Sequence, residues 1–204
     1  MIATNFVTNG YNLAWFAGKA HNRTLGGANF GNVNIRLESL ATPKIGFGPR
    51  PVRVEGFIMP VNVGKRDTPP QPSAGFYTYS ANDVDPGHVM ALELGGPDIA
   101  ENVVPQWKYW QRHETWRKME QELSSEAKKT ADNSRPYFGA APTRSIFYRV
   151  DVVYKTLGNY TPTLTGWAFP KEFYITAYVA DLTGANPQAP IYNNHKLAGN
   201  PDNW

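Results

Sequence analysis

In this 204-residue chain, residues 107–129 alone carry the pattern of a long helix, and nearly everything around them reads as strand or loop. Trp116, Met119 and Leu123 fall on one face of that stretch, with Tyr109 close to the same stripe. At about 100° per residue, His113, Arg117 and Glu120 fall within roughly 60° of one another beside the stripe. They would form a polar edge against whatever packs next to the helix. One long helix among strands is not a bundle. The 18 glycines and 17 prolines point the same way, toward a strand-rich body with many loops. The expected class is α+β, with a mostly antiparallel sheet.

The strands are read from alternation. Residues 32–37 alternate, as do residues 52–63, where Pro60 suggests an edge position or an early end. Residues 65–73 hold three prolines and read as loop; residues 76–79 are a short strand leading toward Asp85. After a loop at 132–142, residues 145–155 (SIFYRVDVVYK) are the clearest strand. Gly158-Asn159 supplies a turn, and residues 163–179 add further strand. Periodicity is lost from Gly184, so 184–204 is expected to be a surface-bound or mobile tail. The expected organisation is one domain: residues 1–50 an extension packed on the core, 75–130 a site-bearing segment, 145–180 closing strands.

With 41% apolar residues the chain is long enough and apolar enough to fold around a core. Its net charge of +3 permits an anionic partner without requiring one. The absence of cysteine excludes a disulfide framework, a thiolate metal site and a cysteine nucleophile. No apolar run is long enough to span a membrane. The first residues lack a basic start followed by an apolar stretch and are not read as a secretory signal.

Residues 85–120 carry the chemistry. Asp85-Pro86-Gly87-His88 puts a histidine at the end of a strand. Leu94-Gly95-Gly96-Pro97 and Asn102-Val103-Val104-Pro105-Gln106 form a turn-rich loop, and Trp116-Arg117-Lys118-Met119-Glu120 places a carboxylate on the helix. A neutral imidazole can take a proton from water near neutral pH. The Gly-Gly-Pro run does not join a strand to a helix at the spacing of a nucleotide-binding loop, so it reads as a tight turn. Arg112, Arg117, Lys118, Lys128, Lys129, Arg135, Arg144 and Arg149 flank the segment and suit a phosphate backbone. His21 and His195 have no such context and read as surface residues.

This segment resembles the DNA/RNA non-specific endonuclease family, whose core is the ββα-metal, or His-Me, finger. Tyr77, Asp85, Gly87, His88, Gly95-Gly96-Pro97, Asn102, Pro105-Gln106, Trp116 and Glu120 match the family pattern in order. Ile146-Phe147-Tyr148-Arg149-Val150, Val153-Tyr154, Pro162 and Thr165-Gly166 look like its closing strands, so the resemblance covers about residues 75–170. Each piece alone carries little; the order and spacing are specific. The resemblance implies a metal-dependent endonuclease that hydrolyses phosphodiester bonds of DNA, with RNA as a second substrate. It implies His88 as general base, Glu120 in the catalytic and metal shell, and Asp85, Asn102 and Gln106 as supports of the site. Arg112, Arg117 and Arg149 are expected on nucleic acid.

Two positions depart from the pattern. Pro86 stands where the family has arginine. The family's metal-binding asparagine is absent, and the linker is one residue longer than the pattern. Counting forward from Gln106 puts Gln111 there; counting back from Trp116 puts Arg112 there. Gln111 offers an amide oxygen, and His113 is a third candidate ligand. Arg112 would instead contact phosphate directly. The expected ion is magnesium, with manganese, zinc or nickel as alternatives. The resemblance also implies a toxin or effector module, secreted or delivered into a target cell and neutralised by an immunity protein. Two other readings stand beside it: a nucleic-acid-binding module that has lost its chemistry, and a secreted scavenging nuclease.

Overall fold

A computed structural model of the chain describes residues 33–38, 48–58, 72, 84–133, 144–154, 169–181 and 190–198. The expected strand at 76–79 and the turn at Gly158-Asn159 lie outside them, as do most of the expected N-terminal extension and Tyr77. The described elements run β1 (Val33–Glu38), β2 (Arg50–Phe57), β3 (Val84–His88), β4 (Val103–Trp107), α1 (Lys108–His113), α2 (Thr115–Asn133), β5 (Arg144–Tyr154), β6 (Pro170–Asp181) and β7 (Pro190–Ala198). Two single 3-10 turns, Leu92–Leu94 and Ala100–Asn102, lie between β3 and β4. Five strands form one antiparallel sheet in the order β1-β2-β5-β6-β7, and β3 and β4 form a separate antiparallel hairpin. The α+β class with a mostly antiparallel sheet is as the sequence indicates.

The central strand β5 divides the sheet into two faces. Ile146, Tyr148, Val150, Val152 and Tyr154 alternate onto one face and share the main core with Trp116, Met119, Leu123 and Ala127 of α2. The spacing of those four helix residues is what a buried stripe requires. Each of the larger ones stabilises the fold by about 1.5–3 kcal/mol through burial. Phe147 turns to the other face, where it meets Phe57 edge-on at 6.1 Å and Tyr178 at 5.3 Å.

The structure corrects three readings. The helix expected over 107–129 is two helices, broken at Glu114, whose backbone leaves the helical region (φ −111°, ψ −143°). The reason lies in Trp110 and Trp116. Six residues apart on an unbroken helix, they would point about 120° apart. Here both are buried, 4.9 Å from each other, with Trp110 stacked on Phe173 at 5.6 Å and Trp116 tilted against it at 4.9 Å.

The second correction concerns residues 103–107, which form strand β4 and not loop. Pro105 argues against a strand, but it sits directly opposite Pro86. Neither proline has an N–H to donate, and a non-hydrogen-bonded pair of an antiparallel ladder asks for none. The third is the tail. Residues 190–198 add strand β7 to the sheet. Its alternation is hidden by Asn194, which adopts φ 51°, a conformation asparagine tolerates, while the register shifts opposite it around Ala177.

Candidate active site

The site is built on the β3–β4 hairpin and the loop that closes it. His88 is the last residue of β3, opposite Val103, and is 7% exposed. Its Nε2 lies 3.1 Å from Oδ1 of Asp98. Asp98 is brought there by the chain folding back on itself. Gly95 takes φ 95° and closes the first 3-10 turn by donating its N–H to Leu92 O. Gly96 donates to Ala91 O at 2.8 Å and packs so close that a Cβ would stand 1.8 Å from Met90 O. Only glycine fits there.

Asn102 holds both ends of this loop. Its Nδ2 donates to Met90 O and to Pro97 O, each at 2.9 Å, and its Oδ1 accepts the Met90 N–H at 3.1 Å. Its backbone carbonyl accepts the Val89 N–H at 2.8 Å. The residue is fully buried with both amide hydrogens and its carbonyl oxygen engaged. Gln106, cross-strand from Asp85, lies over Gly87 and is 1% exposed. A Cβ on residue 87 would come within 2.1 Å of Gln106 Oε1, which is why glycine precedes the histidine. Neither Nε2 nor Oε1 of Gln106 makes a hydrogen bond among the described residues.

Asp85 is gripped by Arg112 of α1, with Nε to Oδ2 at 2.5 Å and Nη2 to Oδ1 at 2.9 Å. The Arg112 side chain is 51% exposed, so this cation faces solvent at the edge of the hairpin. Glu120 is deeper. Its Oε1 accepts the Trp116 indole N–H at 2.8 Å, and its Oε2 lies 3.3 Å from Arg117 Nη1. Arg117 Nη1 also meets Glu93 Oε1 at 2.5 Å. Burial, followed by the charge of Glu93, pushes the Glu120 carboxyl up to about 8; Arg117 and Trp116 pull against this and lose. Tyr148 ties the sheet to this region by donating its hydroxyl to Val89 O at 3.1 Å.

The sequence-predicted residues therefore separate into groups. His88, Asn102, Gln106, Asp85 and Arg112 meet on or around the hairpin. Glu120 and Arg117 stay together on α2, joined by Glu93. His113 does not join them: the break at Glu114 cancels the angular count, and its ring is exposed against Tyr109 at 5.6 Å. Gln111 is half-buried on α1. Arg149 is not brought to the hairpin either. It lies on the face of β5 opposite Tyr148 and, with Arg53, holds Asp151 at 2.7 and 2.6 Å. Among the described residues no group of three or more His, Cys, Asp or Glu is placed to hold a metal ion.

Sequence reasoning missed Asp98 and Glu93. Both sit in the loop between the strands, and their partners are contacts that spacing does not reveal. The only signal for Asp98 was its place directly after Gly95-Gly96-Pro97.

Comparison with known proteins bears on this arrangement. No curated protein sequence matches the chain. A solved structure described as the Sda1 nuclease with bound zinc ion is similar over 79% of this chain and 74% of that one, at 13% identity and a TM-score of 0.45. The family model for DNA/RNA non-specific endonuclease matches residues 44–160, more than half of the chain and the whole of the hairpin, loop and helices just described. The chain belongs to the DNA/RNA non-specific endonuclease family.

Proposed function

We propose that this endonuclease hydrolyses phosphodiester bonds of DNA, and of RNA by the same chemistry, with His88 as the general base. The observation that carries this reading is the placement of His88: an imidazole at a strand end, largely buried, its Nε2 on a carboxylate. The imidazole takes a proton from water as the water oxygen attacks phosphorus, and the bond to the leaving oxygen breaks. The extra negative charge at phosphorus needs a cation. Arg112 is suited to that part, since its planar guanidinium is oriented by Asp85 and half-exposed.

A divalent ion, when bound, would neutralise charge on the phosphate and ease departure of the leaving oxygen. The residues called as its ligands do not fit it as a set. His113 is exposed against Tyr109, and Glu120 is engaged by Trp116 and Arg117 and pushed toward its neutral form. Gln111 contributes one amide oxygen, and the counterpart position in the alternative count is a cation, Arg112. Glu120 is better suited to fixing Arg117 between itself and Glu93.

Plasmid nicking tests the proposal, using the wild type and His88→Ala with magnesium, manganese, zinc or EDTA. The expected result is nicking that falls by about 100-fold or more in the variant, the scale of a lost general base. Equal cutting by both proteins would remove His88 from the mechanism. Cutting that persists in EDTA supports Arg112 as the working cation. Salt-dependent DNA binding by a wild type that cuts under no condition would establish the binding-module reading, which Pro86 motivates.

The delivery reading is a separate proposal, supported by the cysteine-free sequence, which makes the fold indifferent to redox compartment. Among the described residues no helix is long and apolar enough to cross a membrane. Toxicity on cytoplasmic expression, relieved by the product of a neighbouring gene, would distinguish an effector with an immunity partner from a scavenging nuclease.

A further inference from the structure

We propose that Asp98 is the positioning residue of His88, setting which ring nitrogen takes the proton. This rests on the reading of His88 as the base. A carboxylate can only accept hydrogen bonds, so the contact of Asp98 Oδ1 with His88 Nε2 at 3.1 Å requires Nε2 to carry hydrogen. In the neutral ring the basic lone pair is then on Nδ1. When Nδ1 takes the proton from water, the imidazolium faces a carboxylate already in place, which stabilises the charged ring.

The contact is built, not incidental. The side chains of His88 and Asp98 are 8% and 16% exposed, well below an ordinary surface pair. Asp98 directly follows Pro97, whose carbonyl is tied to Asn102, and Asn102 is tied in turn to Met90, two residues past His88. The backbone that carries the carboxylate and the backbone that carries the imidazole are thus pinned to one buried side chain. Gly96 closes the loop from within, against Ala91 O. Turning the ring would cost His88 its contact with Asp98, whose preceding residue is held by Asn102.

The experiment combines NMR of the ring with steady-state kinetics on wild type, Asp98→Asn and Asp98→Ala, with retained folding checked by thermal unfolding. In ¹⁵N-labelled wild type, a downfield exchangeable proton on His88 Nε2 is expected, assigned by its loss in His88→Gln. It should disappear in Asp98→Ala and persist, weakened, in Asp98→Asn, whose carbonyl oxygen still accepts. Cutting should fall in kcat by about 10- to 100-fold in Asp98→Ala, the scale of losing the partner of a working histidine. KM should stay within about 2-fold, because the pair acts on the base and not on the backbone grip. Asp98→Asn should recover part of kcat. Absence of the proton in wild type overturns the contact whatever the activity. A proton that depends on Asp98, with kcat unchanged in Asp98→Ala, overturns the positioning role and leaves His88 as base. An Asp98-dependent proton in a wild type that does not cut overturns the base reading and, with it, any catalytic use of Asp98.

Discussion

Arg112 closes on Asp85 with two parallel hydrogen bonds, joining the first short helix to the strand that ends in His88. The pair is half-exposed on the arginine side, so its contribution to stability is small, within about 1 kcal/mol. Its effect should appear in binding. In a His88→Ala background, which keeps the DNA intact, Arg112→Ala should reduce the slope of log affinity against log salt by about one phosphate contact. Fluorescence anisotropy of a labelled duplex across salt concentrations reads this directly. Arg112→Lys keeps the charge but not the fork, and should keep the slope while losing part of the affinity. An unchanged slope in Arg112→Ala would show that this guanidinium does not meet the backbone.

Gly87 and Gln106 make a tighter pair. A methyl on residue 87 would stand 2.1 Å from Gln106 Oε1 and 2.2 Å from its carboxamide carbon. Gly87→Ala should therefore destabilise by about 1–3 kcal/mol through overpacking. Removing the obstructing side chain as well should restore most of that loss, since the clash is with Gln106 and not with backbone. Urea unfolding of the two single variants and the double variant forms the cycle. Simple additivity would place the strain of Gly87→Ala elsewhere than on Gln106.

These two contacts show what the sequence made legible. Asp85, Gly87, His88, Asn102 and Gln106 were picked out by their order in the family's pattern, and the fold brings them together on or around the β3–β4 hairpin. The stripe of Trp116, Met119 and Leu123 was readable because burial imposes a helical period. The break at Glu114 was not, because it comes from Trp110 and Trp116 both seeking Phe173, a strand residue far along the chain. Nor was β4, where Pro105 is acceptable only because Pro86 faces it. Asp98 and Glu93 escaped for the same reason as Arg149's true place. A side chain's partner across a loop, or its face of a sheet, is set by tertiary packing that local pattern does not encode.

Glu120 should leave a mark on stability against pH. Its folded carboxyl is pushed up to about 8, above an ordinary value of 4.5, by burial and then by Glu93. Below about pH 4.5 it is protonated in both states and contributes no pH dependence. As pH rises toward 8, the unfolded chain gives up this proton first, so folding is progressively disfavoured; above 8 the full penalty is present. Glu120→Gln removes this titration. Thermal unfolding between pH 5 and 8 should show wild-type stability declining relative to the variant. Parallel curves for the two proteins across that range would mean that Glu120 is already ionised in the fold.

Asn102 offers the sharpest test of how the loop is held. In Asn102→Ala, Met90 N–H, Met90 O and Pro97 O all lose their side-chain partner at a fully buried position. The expected cost is about 3 kcal/mol or more, since each stranded buried group costs about 1–3 kcal/mol. That cost should be nearly the same at pH 5 and pH 8, because alanine does not titrate. Asn102→Asp behaves differently. It keeps an acceptor for Met90 N–H but presents oxygens to two carbonyls that need a donor. Protonated, it can satisfy one of them; ionised, it repels both and carries a buried charge. Its penalty should therefore grow as pH rises, on top of the Glu120 trend shared with wild type. Urea midpoints at the two pH values, each referenced to wild type at the same pH, separate the variants. A pH-independent difference between Asp and Ala at this position would mean that the loop relaxes away from residue 102 when its amide is lost.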